Sequence, residues 1–286
     1  MPRTPDRGRQ EVTRSRVETL QHSAFYKFVR IADTPAMAAL LRELTHELLG
    51  SILVAREGLN GMLAGPPAAL EHFEQALLHD PRCMNLFAGM AFKRSACSTP
   101  PFQRMKVHER AEILPLGVAG VDAVGHGGTR LLPQAWRELM AAPDVVLLDN
   151  RNSFEFRLGH FRNAVDPLVN NFRDFPRYIL ANAPAWKAQG KRVAMYCTGG
   201  IRCEKTGAWM QHMGVPVLQL EGGILNYFAA MPDAQRDWDG ECFVFDNRIA
   251  LDTGLRETAT TAEQVYAGDP DEQWRLQRAR QLAVVG

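Results

Sequence analysis

The run Tyr196-Cys197-Thr198-Gly199-Gly200-Ile201-Arg202 places a cysteine, two glycines and an arginine between an apolar stretch and a helix-like one. A thiol at such a junction ionises readily, because unpaired backbone N–H groups and the helix dipole stabilise negative charge there. Gly199 and Gly200 let the backbone fold into an anion-binding nest, and Arg202 adds a fixed positive charge. Cys197 is therefore the candidate nucleophile or sulfur carrier, with Thr198, Gly199, Gly200, Ile201 and Arg202 as its anion cradle. Cys203 follows at once, either as a resolving thiol for a persulfide or disulfide on Cys197 or as a half-buried helix residue. Cys242, Cys83 and Cys97 have no anion-binding context and are assigned to packing.

Positioning this loop requires a buried sheet. Val145 to Leu148, Val193 to Tyr196 and Val215 to Leu220 are continuous apolar runs of the kind buried parallel strands show, and helix-like sequence follows each. The segment from Glu204 to Met213, stopped by Gly214, is the helix whose N-terminus faces the sulfur. An open parallel α/β sheet follows, with ligands expected at the carboxyl ends of its strands. Those ends carry Asp149, Cys197 and Glu221-Gly222-Gly223. Asp149 and Arg151 are read as supporting residues, tying the neighbouring loop by a charge-assisted hydrogen bond, and Glu155 and His160 as structural in the same way.

The first half of the chain has a different grammar. Phe25 to Ile31 alternates like a strand, Thr34-Pro35 offers an N-cap and a first-turn proline, and leucines recur at helical spacing to a stop at Gly50. Ser51–Ala55 and Leu59–Ala64 read as a hairpin, Gly65-Pro66-Pro67 opens a second helix, and Leu86 to Lys93 reads as a strand. The order β-α-β-β-α-β is the split βαβ arrangement of ferredoxin-like domains. Strands near 105–107 and 111–113 extend it or lead into a linker.

The fold class is thus mixed α/β and α+β. Residues 1–22 form a mobile tail, 23–116 a ferredoxin-like domain, 117–128 a glycine-rich linker, 129–238 the parallel-sheet domain and 239–286 a C-terminal segment. In that last segment, Asp269-Pro270 starts a short helix whose Trp274 and Leu282 dock on a domain surface.

At 286 residues with a net charge of +1, the chain holds two cores and no global bias toward nucleic acid or membrane. Five scattered cysteines suit a reducing compartment, and no secretory signal or membrane span is visible, so a cytoplasmic protein is expected. No C-x2-C spacing or histidine cluster suggests a metal, and no G-x-G-x-x-G run suggests a nucleotide cofactor. Local basic clusters exist. Lys93, Arg94, Arg104 and Lys106 flank Pro100-Pro101-Phe102, and Arg173 and Arg177 accompany Phe172, Phe175 and Tyr178. Such mixtures can follow phosphates and stack on unpaired bases, or form solvated faces.

The segment Leu147-Leu148-Asp149-Asn150-Arg151-Asn152 with Glu155 and Gly159-His160, the cysteine loop, and Leu220-Glu221-Gly222-Gly223-Ile224 resemble the successive motifs of rhodanese domains. The longer run Cys197 to Lys205, together with Ala55-Arg56-Glu57-Gly58-Leu59-Asn60-Gly61, Pro101-Phe102 and Gly240 to Asp246, resembles the rhodanese-containing tRNA uridine hydroxylases over about Phe25 to Leu255. Leu59 and Asn150 stand where that family usually has isoleucine and threonine. The resemblance implies oxygen-dependent conversion of the wobble uridine of tRNA to 5-hydroxyuridine. It makes Cys197 the essential cysteine, molecular oxygen the co-substrate and tRNA the partner, with no DNA or membrane partner.

The loop alone supports a second reading, a sulfurtransferase that passes a persulfide sulfur from Cys197 to a thiol or cyanide. A phosphatase is disfavoured because four residues separate Cys197 from Arg202, one fewer than phosphate-cradling loops use. A catalytically dead binding module is disfavoured because the cysteine is present.

Overall fold

The computed structural model describes residues 20–97, 100–125 and 127–284, with side chains through Gln281. Most of the expected tail, residues 1–19, lies outside the described residues, as does the side chain of Leu282. The N-terminal half folds as β1 (Leu20–Phe28), α1 (Thr34–Leu44), β2 (Leu49–Ala55), β3 (Gly58–Gly65), α2 (Pro67–His79), β4 (Phe92–Cys97) and β5 (Met105–Glu109). The sheet order is β4-β1-β3-β2-β5. Its first four strands are antiparallel neighbours, the split βαβ sheet expected, and β5 joins β2 in parallel. Both helices pack on one face around Phe25, Leu41, Ile52, Leu63, Phe73 and Phe87.

Five local expectations change. The first strand starts at Leu20 because His22 and Ser23 are buried polar residues that hydrophobic alternation does not show. Asp33, not Thr34, caps α1, its carboxylate accepting from the Ala36 N–H. That helix ends before Thr45, whose backbone N–H and hydroxyl both bond to the Leu41 carbonyl, so Gly50 falls inside β2. The strand expected over 86–93 is displaced to 92–97, because Met84 and Asn85 take left-handed backbone (φ 49° and 58°) and turns continue to Met90. Residues 111–113 form no strand.

The second half folds as β6 (Thr129–Leu131), α3 (Pro133–Met140), β7 (Val145–Asp149), α4 (Ser153–Leu158), β8 (Gly159–Phe161), α5 (Phe175–Ala188), β9 (Arg192–Tyr196), α6 (Ile201–His212), β10 (Val217–Leu220) and α7 (Gly223–Ala230). The parallel sheet runs β6-β10-β9-β7, with β6 added to the three expected strands. One face packs around Trp136, Leu147, Tyr196 and Tyr227. The other packs around Leu148, Phe175, Val193 and Trp209.

In the glycine-rich stretch 117–128, Ala123 and Gly128 are buried, while Gly117, Gly120 and Gly125 are exposed. Leu116 before it joins the second domain's core, and Ala123 lies in a small apolar cluster with Phe28, Ala55, Ile113 and Ala208. That cluster takes members from both domains and seals the seam between them.

The remaining chain forms β11 (Trp238–Gly240), β12 (Cys242–Phe243), β13 (Ala250–Leu251), α8 (Ala262–Tyr266) and α9 (Gln273–Val284). The last helix docks through Leu276, which packs with Phe154, Phe243 and Tyr266. Trp274, expected to be the anchor, is half exposed, because it stands two residues from Leu276, about 200° around the helix and so on the face away from the core.

Candidate active site

β9 is the centre of the parallel sheet's buried layer, and its last residue hands the chain to Cys197 at the carboxyl edge. The loop turns at Gly200, whose φ of 101° ends it and starts α6. The Gly200 N–H donates to the Cys197 sulfur at 3.1 Å. Gly223, at the start of α7, allows the closest approach to the loop. A Cβ there would stand 2.4 Å from the Cys197 carbonyl oxygen, so no larger residue fits. The Ile224 and Leu225 N–H groups consequently donate to the Cys197 and Thr198 carbonyls, at 3.0 and 3.2 Å.

Cys197 is 1 % exposed. Burial opposes its ionisation, but the Cys203 thiol donating to it, the charge of Arg202 and the N–H groups of Cys203 and Gly200 outweigh that and hold its pKa well below the ordinary thiol value. The other four cysteines go the opposite way. Burial pushes Cys83 up to about 11, Cys242 up to about 12 and Cys97 upward. Cys203 is raised well above its ordinary value by burial and by donating to Cys197. The structure therefore brings the two thiols together as acceptor and donor, with Cys203 fully buried in the first turn of α6.

Arg202 does not stand alone beside the sulfur. Its guanidinium grips Glu155 through two bonds of 2.6 and 2.8 Å, and it also donates to the Thr198 hydroxyl at 3.3 Å. Glu155 in turn accepts from the Asn152 N–H, which fixes the start of α4. Burial raises the Glu155 carboxyl, and the charges of Arg202 and Arg151 bring it below its usual range. Asp149 and Arg151 form a second, fully buried pair, with bonds of 2.6 and 2.9 Å. Arg151 also donates to the Gly159 carbonyl and lies over the Trp238 ring, with its side chain fully buried.

The opposite side of the loop is built by the N-terminal domain. Lys93, on β4, donates through Nζ to the Gly199 carbonyl. Its ammonium lies 5.6 Å from the centre of the Tyr26 ring. The Tyr26 hydroxyl bonds to Glu204 at 3.0 Å, and Arg130 pairs with the same carboxylate at 2.9 Å. The next residue, Lys205, reaches Glu57 at 2.9 Å and also Glu112. The Ala55 to Gly61 motif and the cysteine motif thus meet across the seam.

Of the six cations considered for RNA, only Lys93 reaches the cysteine loop. Arg94 is held by Glu74, while Arg104 and Lys106 lie at β5, the far edge of the same sheet. Arg173 and Arg177 are exposed just before and within α5. A cavity of about 250 Å³ opens between β4 and α7, lined among others by His22, Phe92, Lys93, Arg94, Asn226 and Arg248.

Tyr26 escapes sequence reasoning, whereas Glu204, Lys205 and the half-exposed Phe245, whose ring lies 5.8 Å from the Arg202 guanidinium, fall inside the Cys197–Lys205 and Gly240–Asp246 motifs with no site role read for them. Tyr26 stands on a strand with no motif of its own. Among the described residues, no three His, Cys, Asp or Glu side chains are grouped as metal ligands, and no helix is long and apolar enough to cross a membrane.

The parallel sheet with a cysteine loop at its carboxyl edge is a rhodanese-like domain, and the corresponding family model matches residues 132–230. A model described as a UPF0176 acylphosphatase like domain matches residues 20–113. The chain is 41 % identical over 247 residues to the tRNA uridine(34) hydroxylase of Legionella pneumophila (strain Corby), covering 85 % of this chain and 95 % of that one. Relatives of the same name from Jannaschia sp. (strain CCS1) and Synechococcus elongatus are 42 % and 43 % identical. Those two alignments cover 82 % and 81 % of this chain, and 77 % and 85 % of theirs. The chain belongs to the tRNA uridine(34) hydroxylase family.

Proposed function

We propose that this protein converts uridine 34 of tRNA, the wobble position, to 5-hydroxyuridine in the cytoplasm, with molecular oxygen as co-substrate and Cys197 as the reacting group. The observation that carries the reading is the identity of about 40 % with hydroxylases of that name across both domains, joined to a cysteine held as thiolate. Gly200, Cys203 and Arg202 stabilise that anion, which is then available as a nucleophile toward an electron-poor pyrimidine. Asp149 and Arg151 keep the floor of the loop rigid.

For the RNA, Lys93 and Arg94 line the cavity beside the loop, and Phe245 offers a face on which a base stacks. Arg104, Lys106, Arg173 and Arg177, cationic and at least partly exposed, are read as phosphate contacts further along the anticodon arm. The sulfurtransferase alternative rests on the loop alone, and the names of the relatives favour the hydroxylase.

The test is to delete the gene in its host, digest the tRNA to nucleosides and measure 5-hydroxyuridine and its derivatives. Loss on deletion, with return on complementation by wild type and not by Cys197→Ser, is expected. Unchanged 5-hydroxyuridine after deletion would sink the proposal.

A further inference from the structure

Three consecutive carbonyls of the cysteine loop are each held by a donor outside it. Those of Cys197 and Thr198 accept from backbone N–H groups of α7 in the same domain. That of Gly199 accepts from the Lys93 ammonium, which comes from the other domain. The Gly199 carbonyl and the Gly200 N–H belong to one peptide unit. Such a unit is planar and trans, so its C=O and N–H point in opposite directions. The ammonium on one side therefore fixes the donor on the other, and that donor is the one bonded to the Cys197 sulfur at 3.1 Å.

We propose that Lys93 is a positioning residue, holding the Gly199–Gly200 peptide with its N–H on the Cys197 sulfur and adding a charge that favours the thiolate. The nucleophile is then complete only when the two domains are docked. The groups facing Lys93 fit this role: the Tyr26 ring from β1, Glu204 from α6, Arg130 from β6, and Cys197 itself. Burial lowers the Lys93 ammonium to about 8, helped by Arg130 and opposed by Cys197 and Glu204. Lysine and thiolate thus stabilise each other's charged form, and each titration depends on the state of the other.

The inference rests on Cys197 as the reacting thiol, and its tests use no tRNA, so its failure is separate from failure of the RNA reading. The first test follows ultraviolet thiolate absorbance against pH, taking the difference between each protein and its Cys197→Ser counterpart. Lys93→Met is expected to raise the Cys197 midpoint by about one pH unit, a tenfold loss of thiolate at pH values below it. Lys93→Arg is expected to stay within about twofold, because it keeps the charge and a donor. An unchanged midpoint in Lys93→Met overturns the proposal.

The second test needs no substitution, so a loosened domain seam cannot confuse it. Cys197 is capped with methyl methanethiosulfonate, and reductive methylation of Lys93 is followed by peptide mass spectrometry near pH 8. Removing the negative sulfur should lower the lysine's pKa and speed its methylation severalfold. Equal rates in capped and uncapped protein also overturn the proposal.

Discussion

The two sides of the cysteine loop follow different rules. On the side of Thr198 and Arg202, the wall belongs to the rhodanese-like domain itself and rests on a two-bond ion pair with Glu155, whose side chain is fully buried. On the side of Gly199 and Gly200, the wall comes from the N-terminal domain and consists of single-bond contacts from half-buried Lys93 and Tyr26. A buried pair gives rigid geometry, because losing one partner strands a charge away from water. A half-buried single contact can be remade at small cost, which suits a seam between domains. The first wall sets the loop's shape, and the second adjusts the sulfur.

The largest expected effect tests the first wall. Glu155→Gln leaves the Arg202 guanidinium buried without its counter-charge and should cost roughly 3–5 kcal/mol in urea unfolding. The pH dependence has a definite sign. The folded carboxyl lies below its unfolded value, so its contribution is complete above the unfolded glutamate pKa and is lost as pH falls through the depressed folded value. Glu155→Gln should lack that acid-side slope. A loss below about 1 kcal/mol would place the Arg202 pair with ordinary surface pairs and erase the contrast between the walls.

The second effect belongs to the seam. His22 on β1 is 4 % exposed and lies 3.6 Å from Asp246, which is itself paired with Arg248. Burial and the Arg248 charge, opposed by Asp246, lower the His22 pKa to about 4. The folded value is below the unfolded 6.5, so the stability is present above pH 6.5 and is lost as pH falls toward 4, up to roughly 3 kcal/mol. Unfolding of wild type and His22→Gln should be compared at pH 7 and pH 4.5. Parallel losses in the two proteins would show that the acid response arises elsewhere.

The same contrast explains what the sequence made readable. The parallel strands, the cysteine loop and the supporting role of Arg151 are written in contiguous residues, where apolar runs end in glycine or charge. The split βαβ order was equally visible. The site's second wall was not, because Tyr26 and Lys93 act from strands whose local pattern says only that they are strands. Lys93 read only as a member of a basic cluster, an RNA contact or a solvated cation, since nothing in its neighbours announces a carbonyl more than a hundred positions away. Strand boundaries failed where polar residues are buried, as at His22 and Ser23, or where positive φ breaks an apolar run, as at Met84 and Asn85.

The smallest expected effect separates charge from apolar contact at the seam. Lys205 is 1 % exposed, and it bridges Glu57 and Glu112 from the N-terminal domain and the stretch that follows it. In Lys205→Met the stem volume stays while both carboxylates lose their counter-charge. Glu57 keeps the Ile113 N–H at 2.8 Å, and Glu112 is partly exposed and can turn to water. The cost should therefore fall short of a fully buried pair, at roughly 2 kcal/mol. Because Lys205 touches neither the sulfur nor the loop carbonyls, the Cys197 titration should not move while the domains remain docked. Limited proteolysis of the 111–128 stretch should accelerate, since its Ile113 and Ala123 are covered only when the seam is closed. If cleavage and unfolding both match wild type, the apolar cluster of Phe28, Ala55, Ile113, Ala123 and Ala208 holds the domains together, and the ion pair contributes only register.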